Sequence, residues 1–197
     1  MRMAERVDHA VRRRQIAEAA ASVAAEQGLH AVSMRTTAVA AGMSVTLVQY
    51  YFTNKQGLLL GLMNHLEQLS IQRWHDRIQA ANAGGGRTVL DAFLAEAIPD
   101  DEASRVFHLV GTSFAMLAVT DPALKDGAAG LTRLETDVEE AFRQADVESL
   151  SRDPAVEAYR LVALVNGLGT SVLLGHRTAT QALDVASMHL DDVLAGT

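Results

Sequence analysis

Residues 33–55, SMRTTAVAAGMSVTLVQYYFTNK, constrain the fold more than any other stretch of the chain. Ser33 precedes a short helix-forming run, and its hydroxyl can accept from a free backbone N–H of the first turn. Ala38, Val39, Ala40 and Ala41 follow, mostly small enough for a second helix to pack closely. Gly42 stands where the chain must turn, and glycine takes the positive φ that a helix C-terminus favours. Ser44 repeats the capping signal, and Lys55 lies at the start of a third helix. Two short helices joined by a glycine turn predict a helix–turn–helix unit.

The second of these helices has two distinct sides on a wheel of about 100° per residue. Val48 and Phe52, with Tyr51 at the margin, form a sector that should face the protein. Val45, Thr46, Gln49 and Tyr50 lie on the other side, with Leu47 on its flank. That outer side is uncharged, yet it carries a hydroxyl, an amide, a phenol and methyl groups. A glutamine can pair with an adenine edge, and methyl groups can meet thymine methyls. In a helix–turn–helix the second helix enters the DNA major groove. Thr46, Gln49 and Tyr50 are therefore expected to read bases, with Val45 and Leu47 in apolar contact. Arg35, Thr36 and Lys55 are expected to hold phosphates, and Ser44, at the start of the reading helix, completes the DNA-facing set.

The charge distribution agrees. The chain of 197 residues has a net charge of −7. Through residue 60 there are seven basic and four acidic side chains, whereas the remainder holds ten basic and twenty acidic ones. Phosphate binding needs a local basic surface, not a basic protein. With 49% hydrophobic residues the chain can bury a substantial core, and with no cysteine it forms no disulfide and offers no thiolate. The basic N-terminus has no continuous apolar run, so no signal peptide is expected. The most apolar stretch, 161–174, is too short to span a bilayer. A cytoplasmic protein without a membrane partner is expected.

Taken in order, residues 1–8 read as a flexible arm, followed by a helix over roughly 8–27 with an apolar stripe of Ile16, Ala19, Ala20, Val23 and Ala24. Arg12, Arg13 and Arg14 at its start suit phosphates beside a groove and a solvated helix start equally well. A long helix runs from Lys55 towards Ala80. The glycine run at 84–86 lacks the preceding strand and following Lys-Ser/Thr of a phosphate loop, and reads as a connection. Helices are then expected over 88–98, 100–119, 121–145 (interrupted near Gly127 and Gly130), 155–174 and 180–194. Asp121-Pro122 and Asp153-Pro154 are cap signals with proline at the first helical position. No strand-like alternation occurs. The chain is expected to be all-α, about nine helices, with a three-helix DNA-binding domain over 1–57 and a helical domain over 58–197, for which resemblance to a known family implies ligand binding and dimerisation.

The stretch from about Arg13 to Leu60 resembles the DNA-binding domain of the TetR/AcrR family of transcriptional repressors. The similarity rests on RQIAEAAASVAAEQG, the Ser33-capped helix, the AAGMS turn and YYFTNKQGLL. Family members usually place a small residue and an aromatic before a Tyr/His-Phe pair and a lysine. Here Thr46 and Gln49 take the first two places, Tyr51-Phe52 the pair and Lys55 the lysine. The Asp-Pro helix, AYRLVALVNGLG and the final amphipathic helix resemble the C-terminal region of the betaine-synthesis repressor subgroup. The resemblance implies a ligand-responsive repressor that binds a double-stranded DNA operator, with a long helix joining head to body.

One helix–turn–helix reads few base pairs, whereas two heads about 34–36 Å apart read a palindrome. A homodimer is therefore expected, through Leu161, Leu164, Leu168 and Val172 of one late helix and Leu183 and Leu190 of the last. A small-molecule effector pocket is expected among Trp74, Phe93, His108, Thr112, Phe114, Met116 and Asn166, which are large apolar groups with a few polar ones. The seven histidines are scattered, and His65 and His75 are ten apart, so no metal and no cofactor are expected. The rival reading is an all-α ligand carrier or enzyme without sequence-specific DNA binding. No nucleophile elbow, metal spacing or apolar carboxylate pair supports the enzyme.

Overall fold

The computed structural model describes residues 2–82, 84–145 and 153–195, with side chains at 9–82, 84–125, 133–145 and 153–195. Nine α-helices and two 3₁₀ turns account for its regular structure, and no strand occurs among the described residues. The helices are α1 (Arg2–Gln27), α2 (Met34–Ala41), α3 (Val45–Phe52), α4 (Lys55–Ala80), α5 (Gly86–Ala97), α6 (Glu102–Thr120), α7 (Ala129–Gln144), α8 (Pro154–Leu173) and α9 (Ala179–Leu194). The 3₁₀ turns are Leu29–Ala31 and Pro122–Ala128.

Most sequence boundaries hold to within two or three residues because the stop signals are chemical. Asp153 accepts from the Ala155 N–H at 3.0 Å, with Pro154 opening α8. Thr178 and Gln181 form a reciprocal capping box at the start of α9. The arm is the exception. The expected flexible segment 1–8 is helical from Arg2, since no glycine or proline interrupts residues 2–27 and α1 continues through them. The side chains of 1–8, including Arg2 and Arg6, lie outside the described residues.

The chain forms two compact units. The first comprises Met1–Gln68 and Leu109–Ala128, the second Leu69–His108 and Ala129–Thr197. The borders of these units fall at 68/69, 108/109 and 128/129. Leu58, Leu59, Leu62, Met63 and Leu66 in the first half of α4 are buried, and they belong to the first unit together with Ile16, Ala20, Val23, Val48 and Phe52. Each such leucine contributes about 1.5–3 kcal/mol on burial.

The second unit is built on Trp74, Leu90, Phe93, Phe142, Leu161 and Leu190, all buried in one apolar cluster. α7 and α9 both pack on α8. Gly86 lets the start of α5 lie on the end of α7: a Cβ there would stand 1.9 Å from the Ala141 carbonyl oxygen. The residues expected to form a dimer interface are largely used here. Leu161, Leu168, Val172 and Leu190 are buried in this unit's own core, and Leu164 and Leu183 pack against it half-buried. A helix as apolar all round as α8 gives no wheel-based distinction between inner and outer faces. Its large exposed apolar residues are Val156 and Tyr159, with Leu174 just past its end, and those of α9 are Val185 and Met188.

Among the described residues α6 alone is long and apolar enough to cross a bilayer by length and composition. Ser113 and Thr120 on that helix hydrogen-bond back to backbone carbonyls of the preceding turn.

Candidate nucleic-acid interface

The reading helix is fixed at both ends by backbone chemistry. Ser33 Oγ accepts from the Thr36 N–H at 3.1 Å, and Thr36 Oγ1 accepts from the Ser33 N–H at 2.9 Å, a capping box that starts α2. Gly42 ends α2 in the left-handed conformation with φ 62, and its N–H reaches the Val39 carbonyl. Ser44 then caps α3 by accepting from the Leu47 N–H at 3.1 Å. At the far end Thr53 takes φ 58, which costs a β-branched residue about 1–3 kcal/mol. Its N–H bonds the Gln49 carbonyl at 2.8 Å, closing α3.

The inner face of α3 is locked through Phe52. Its ring lies against Gly61, where a Cβ would come within 2.1 Å, and its carbonyl oxygen lies over Gly57 at 2.4 Å from a would-be Cβ. The Arg13 guanidinium stands 4.6 Å from the ring centroid and donates to the Tyr51 carbonyl at 3.2 Å. Gly57 and Gly61, one helical turn apart on α4, thus form the seat for α3. Sequence reasoning missed both. Their only signal was their i, i+4 spacing just after Phe52. The arginine cluster also resolves. Arg13 serves α3, Arg12 donates to Gln15 at 3.2 Å, and Arg14 lies 3.5 Å from Glu18 in an exposed pair.

The outer face is open. Val45, Thr46, Gln49 and Tyr50 are exposed, Leu47 is half-buried, and Val48 and Phe52 are buried. Arg35, Ser44 and Lys55 are exposed as well. Lys55 is the first residue of α4, where Asn54 Oδ1 accepts the Gly57 N–H at 2.8 Å, and the helix N-terminus adds positive potential beside the ammonium. Thr36 is half-buried, and its hydroxyl lies 2.8 Å from the Ala31 carbonyl oxygen while its oxygen accepts the Ser33 N–H in the capping box.

The residues expected to line an effector pocket are dispersed. Trp74 and Phe93 are core residues of the second unit, their rings 5.5 Å apart, with the indole N–H donating to the Val89 carbonyl at 3.0 Å. His108 lies flat against Gly169 of α8, where a Cβ would meet its ring at 2.2 Å, and its Nε2 is 3.5 Å from Thr170 Oγ1. Burial lowers its pKa, and a hydrogen bond to the Asn166 backbone partly restores it. Asn166 itself is exposed. Thr112 and Met116 are exposed and Phe114 is buried, all on the part of α6 that belongs to the first unit.

A polar feature of the second unit escaped the sequence reading. Glu96 is almost fully buried and receives Arg73 through Nε at 3.1 Å and Nη2 at 2.6 Å, and Ser70 at 2.7 Å. Arg77 Nε approaches the same carboxylate at 3.6 Å.

Comparison with known proteins bears on both units. Residues 16–62 match the family described as bacterial regulatory proteins, tetR family, and residues 86–195 match the C-terminal domain of BetI-type transcriptional repressors. The chain is 29% identical to the HTH-type transcriptional regulator PksA of Bacillus subtilis, over 87% of this chain and 83% of that protein. It is 27% identical to the regulator BetI of Escherichia coli, over 80% of each. A TetR-family transcriptional regulator from Rhodococcus sp. superposes with a TM-score of 0.82 at 26% identity, covering 93% of this chain and 98% of that one.

Proposed function

Since the chain belongs to the TetR family of bacterial transcription regulators, with a C-terminal domain of the BetI type, and is not an enzyme, we propose that it is a cytoplasmic repressor that binds a palindromic operator as a homodimer and releases it when a small molecule binds. The observation that carries this reading is α3. Its inner face is held by Gly61 and Arg13, while Val45, Thr46, Gln49 and Tyr50 are exposed, as are Arg35 of α2 and Lys55 at the start of α4. An uncharged outer face suits base edges, and exposed cations on the adjoining helices suit phosphates.

The dimer would use the outer faces of α8 and α9. Val156, Tyr159, Val185 and Met188 are apolar and exposed there, whereas the leucines first assigned to that role are occupied within the chain. A second copy related by a two-fold axis would cover the same patch on both partners. Met188→Glu is expected to yield monomers in sedimentation velocity with an unchanged circular dichroism spectrum, and a dimer that persists would remove this interface. An effector would shift the protein away from DNA by binding its non-operator form more tightly, with His108 a candidate contact.

Gel shift with the promoter next to the protein's own gene tests the function. Gln49→Ala should relax preference at one base position by about 1–3 kcal/mol. Lys55→Ala should weaken all sequences alike and reduce the salt slope by about one. Salt-sensitive, sequence-selective binding supports the repressor, and binding indifferent to sequence would favour a ligand carrier.

A further inference from the structure

Besides α4, which seats Phe52, α1 also touches α3. His9 of α1 lies 4.5 Å from the ring of Tyr51 and 5.6 Å from that of Tyr50, and the two tyrosines stand 5.2 Å apart with their planes at 89°. The three rings form a closed triangle of tilted and edge-to-face contacts, the arrangement that the aromatic quadrupole favours. Tyr51 is half-buried and anchors the triangle, whereas Tyr50 is 69% exposed on the open side of α3. Four residues along α1, on the same helical side, Arg13 bonds the Tyr51 carbonyl and covers Phe52. α1 therefore grips the last turn of α3 at two points one turn apart. Both lie ahead of residue 16, where the match to the family's DNA-binding region begins.

We propose that His9 is a positioning residue for DNA reading: it holds the Tyr50 ring in one orientation and so sets the base preference at the position Tyr50 meets. This rests on the operator-binding function proposed above. An exposed tyrosine on a helix surface otherwise samples several rotamers, and choosing one on binding costs entropy. Here the ring is already braced on two sides before DNA arrives. Tyr50 can then present its hydroxyl and ring edge to one base step or sugar and not to a range of them. Arg13 does not substitute for His9, because its guanidinium is committed to the Tyr51 carbonyl and the Phe52 ring.

The test uses the full chain and a duplex that the wild-type protein selects from a randomised pool. His9→Ala is expected to weaken that duplex about three- to tenfold and to broaden preference at the base pair that Tyr50→Ala also broadens. The salt slope should stay as in the wild type, since no phosphate contact is lost. His9→Phe, which keeps a ring, should stay within about twofold of the wild type. In a Tyr50→Ala background His9→Ala should change affinity by less than about twofold. In the free protein His9→Ala should shift the Tyr50 ring proton resonances while the melting temperature stays close to the wild-type value. An undiminished His9 effect without Tyr50 would overturn the inference, as would a salt slope lowered by about one or a His9→Phe variant as weak as His9→Ala. If the wild type selects no duplex at all, the repressor function itself fails. If it selects one and His9→Ala binds it with unchanged preference, only the role of His9 fails.

Discussion

Each unit of this protein leaves a helical glycine bare so that an aromatic ring can lie against the backbone. In the first, Phe52 rests on Gly61 of α4, and in the second, His108 rests on Gly169 of α8. The approach is equally close, 2.1 and 2.2 Å from an added Cβ, but the rings differ in kind. Phe52 is apolar, lies beneath the Arg13 guanidinium and has nothing to titrate. His108 carries a proton site, lies beside the Thr170 hydroxyl and bonds the Asn166 backbone. The first unit closes its seat with a group whose state does not vary with conditions, which suits a helix that must present a fixed face. The second closes its seat with a group that can exchange hydrogen-bond partners, which would suit the ligand response proposed for it. The same contrast recurs in their charges. The Arg14–Glu18 pair of the first unit lies on the surface, whereas Glu96 of the second is buried under Arg73.

The contrast in charge gives the largest expected effect. Arg73→Leu removes three of the contacts that neutralise Glu96 and leaves a buried carboxylate to Ser70 and the more distant Arg77. Stability should fall by about 3 kcal/mol. Arg14→Leu, in the exposed pair, should cost less than about 0.5 kcal/mol. Urea unfolding followed through Trp74, the only tryptophan and a core residue of the second unit, measures the first directly. Equal costs for the two variants would erase the distinction.

The glycine seats come next. Gly61→Ala and Gly169→Ala should each destabilise by about 1–3 kcal/mol, because overpacking outweighs the roughly 1 kcal/mol that alanine gains in a helix. They should then separate in function. Gly61→Ala displaces Phe52 and the last turn of α3, so it should also weaken a selected duplex, while Gly169→Ala should leave duplex preference as it is. Gly169→Ala combined with His108→Ser should recover part of the lost stability by vacating the space. A Gly61→Ala variant with full stability and full affinity would show that the Phe52 seat is not rigid.

How much of this was legible in the sequence follows from distance along the chain. The caps at Ser33, Ser44 and Asp153, the left-handed Gly42 and the split faces of α3 depend on neighbours three or four residues apart, and they were read correctly. The hydrogen bonds of the Thr36 hydroxyl to the Ala31 carbonyl and the Ser33 N–H were not legible, because a threonine near a cap offers the same sequence pattern with or without them. The helical run of 2–8 was read as an arm, though it lacks any breaker. The Arg73–Glu96 pair spans 23 residues, and His108 and Gly169 lie on different helices far apart in the sequence, so no local pattern announces either. Leu161, Leu168 and Val172 of α8 and Leu190 of α9 are expected at a dimer interface and lie in the second unit's own core. A helix as apolar all round as α8 shows no side in its sequence.

The smallest expected effect tests the seat chemistry itself. An ordinary histidine titrates near pH 6.5. Burial lowers the pKa of His108, so between that lowered value and about pH 6.5 the unfolded chain binds more protons than the folded one. Stability should therefore be level above about pH 6.5, decline as the pH falls below it, and level off again once folded His108 is protonated. The slope is limited to about 1.4 kcal/mol per pH unit for one group. His65 in the first unit is also lowered, first by burial and further by Arg14, with Glu18 opposing, so it adds a decline of the same sign. His108→Phe keeps a ring on Gly169 and removes the proton site. The unfolding transition reported by Trp74 should then depend less steeply on pH just below about 6.5, whereas His65→Phe should leave that transition's slope unchanged. If instead the His108→Phe protein kept the wild-type slope, the second seat would be as indifferent to protons as the first, and the two would differ only in the ring they hold.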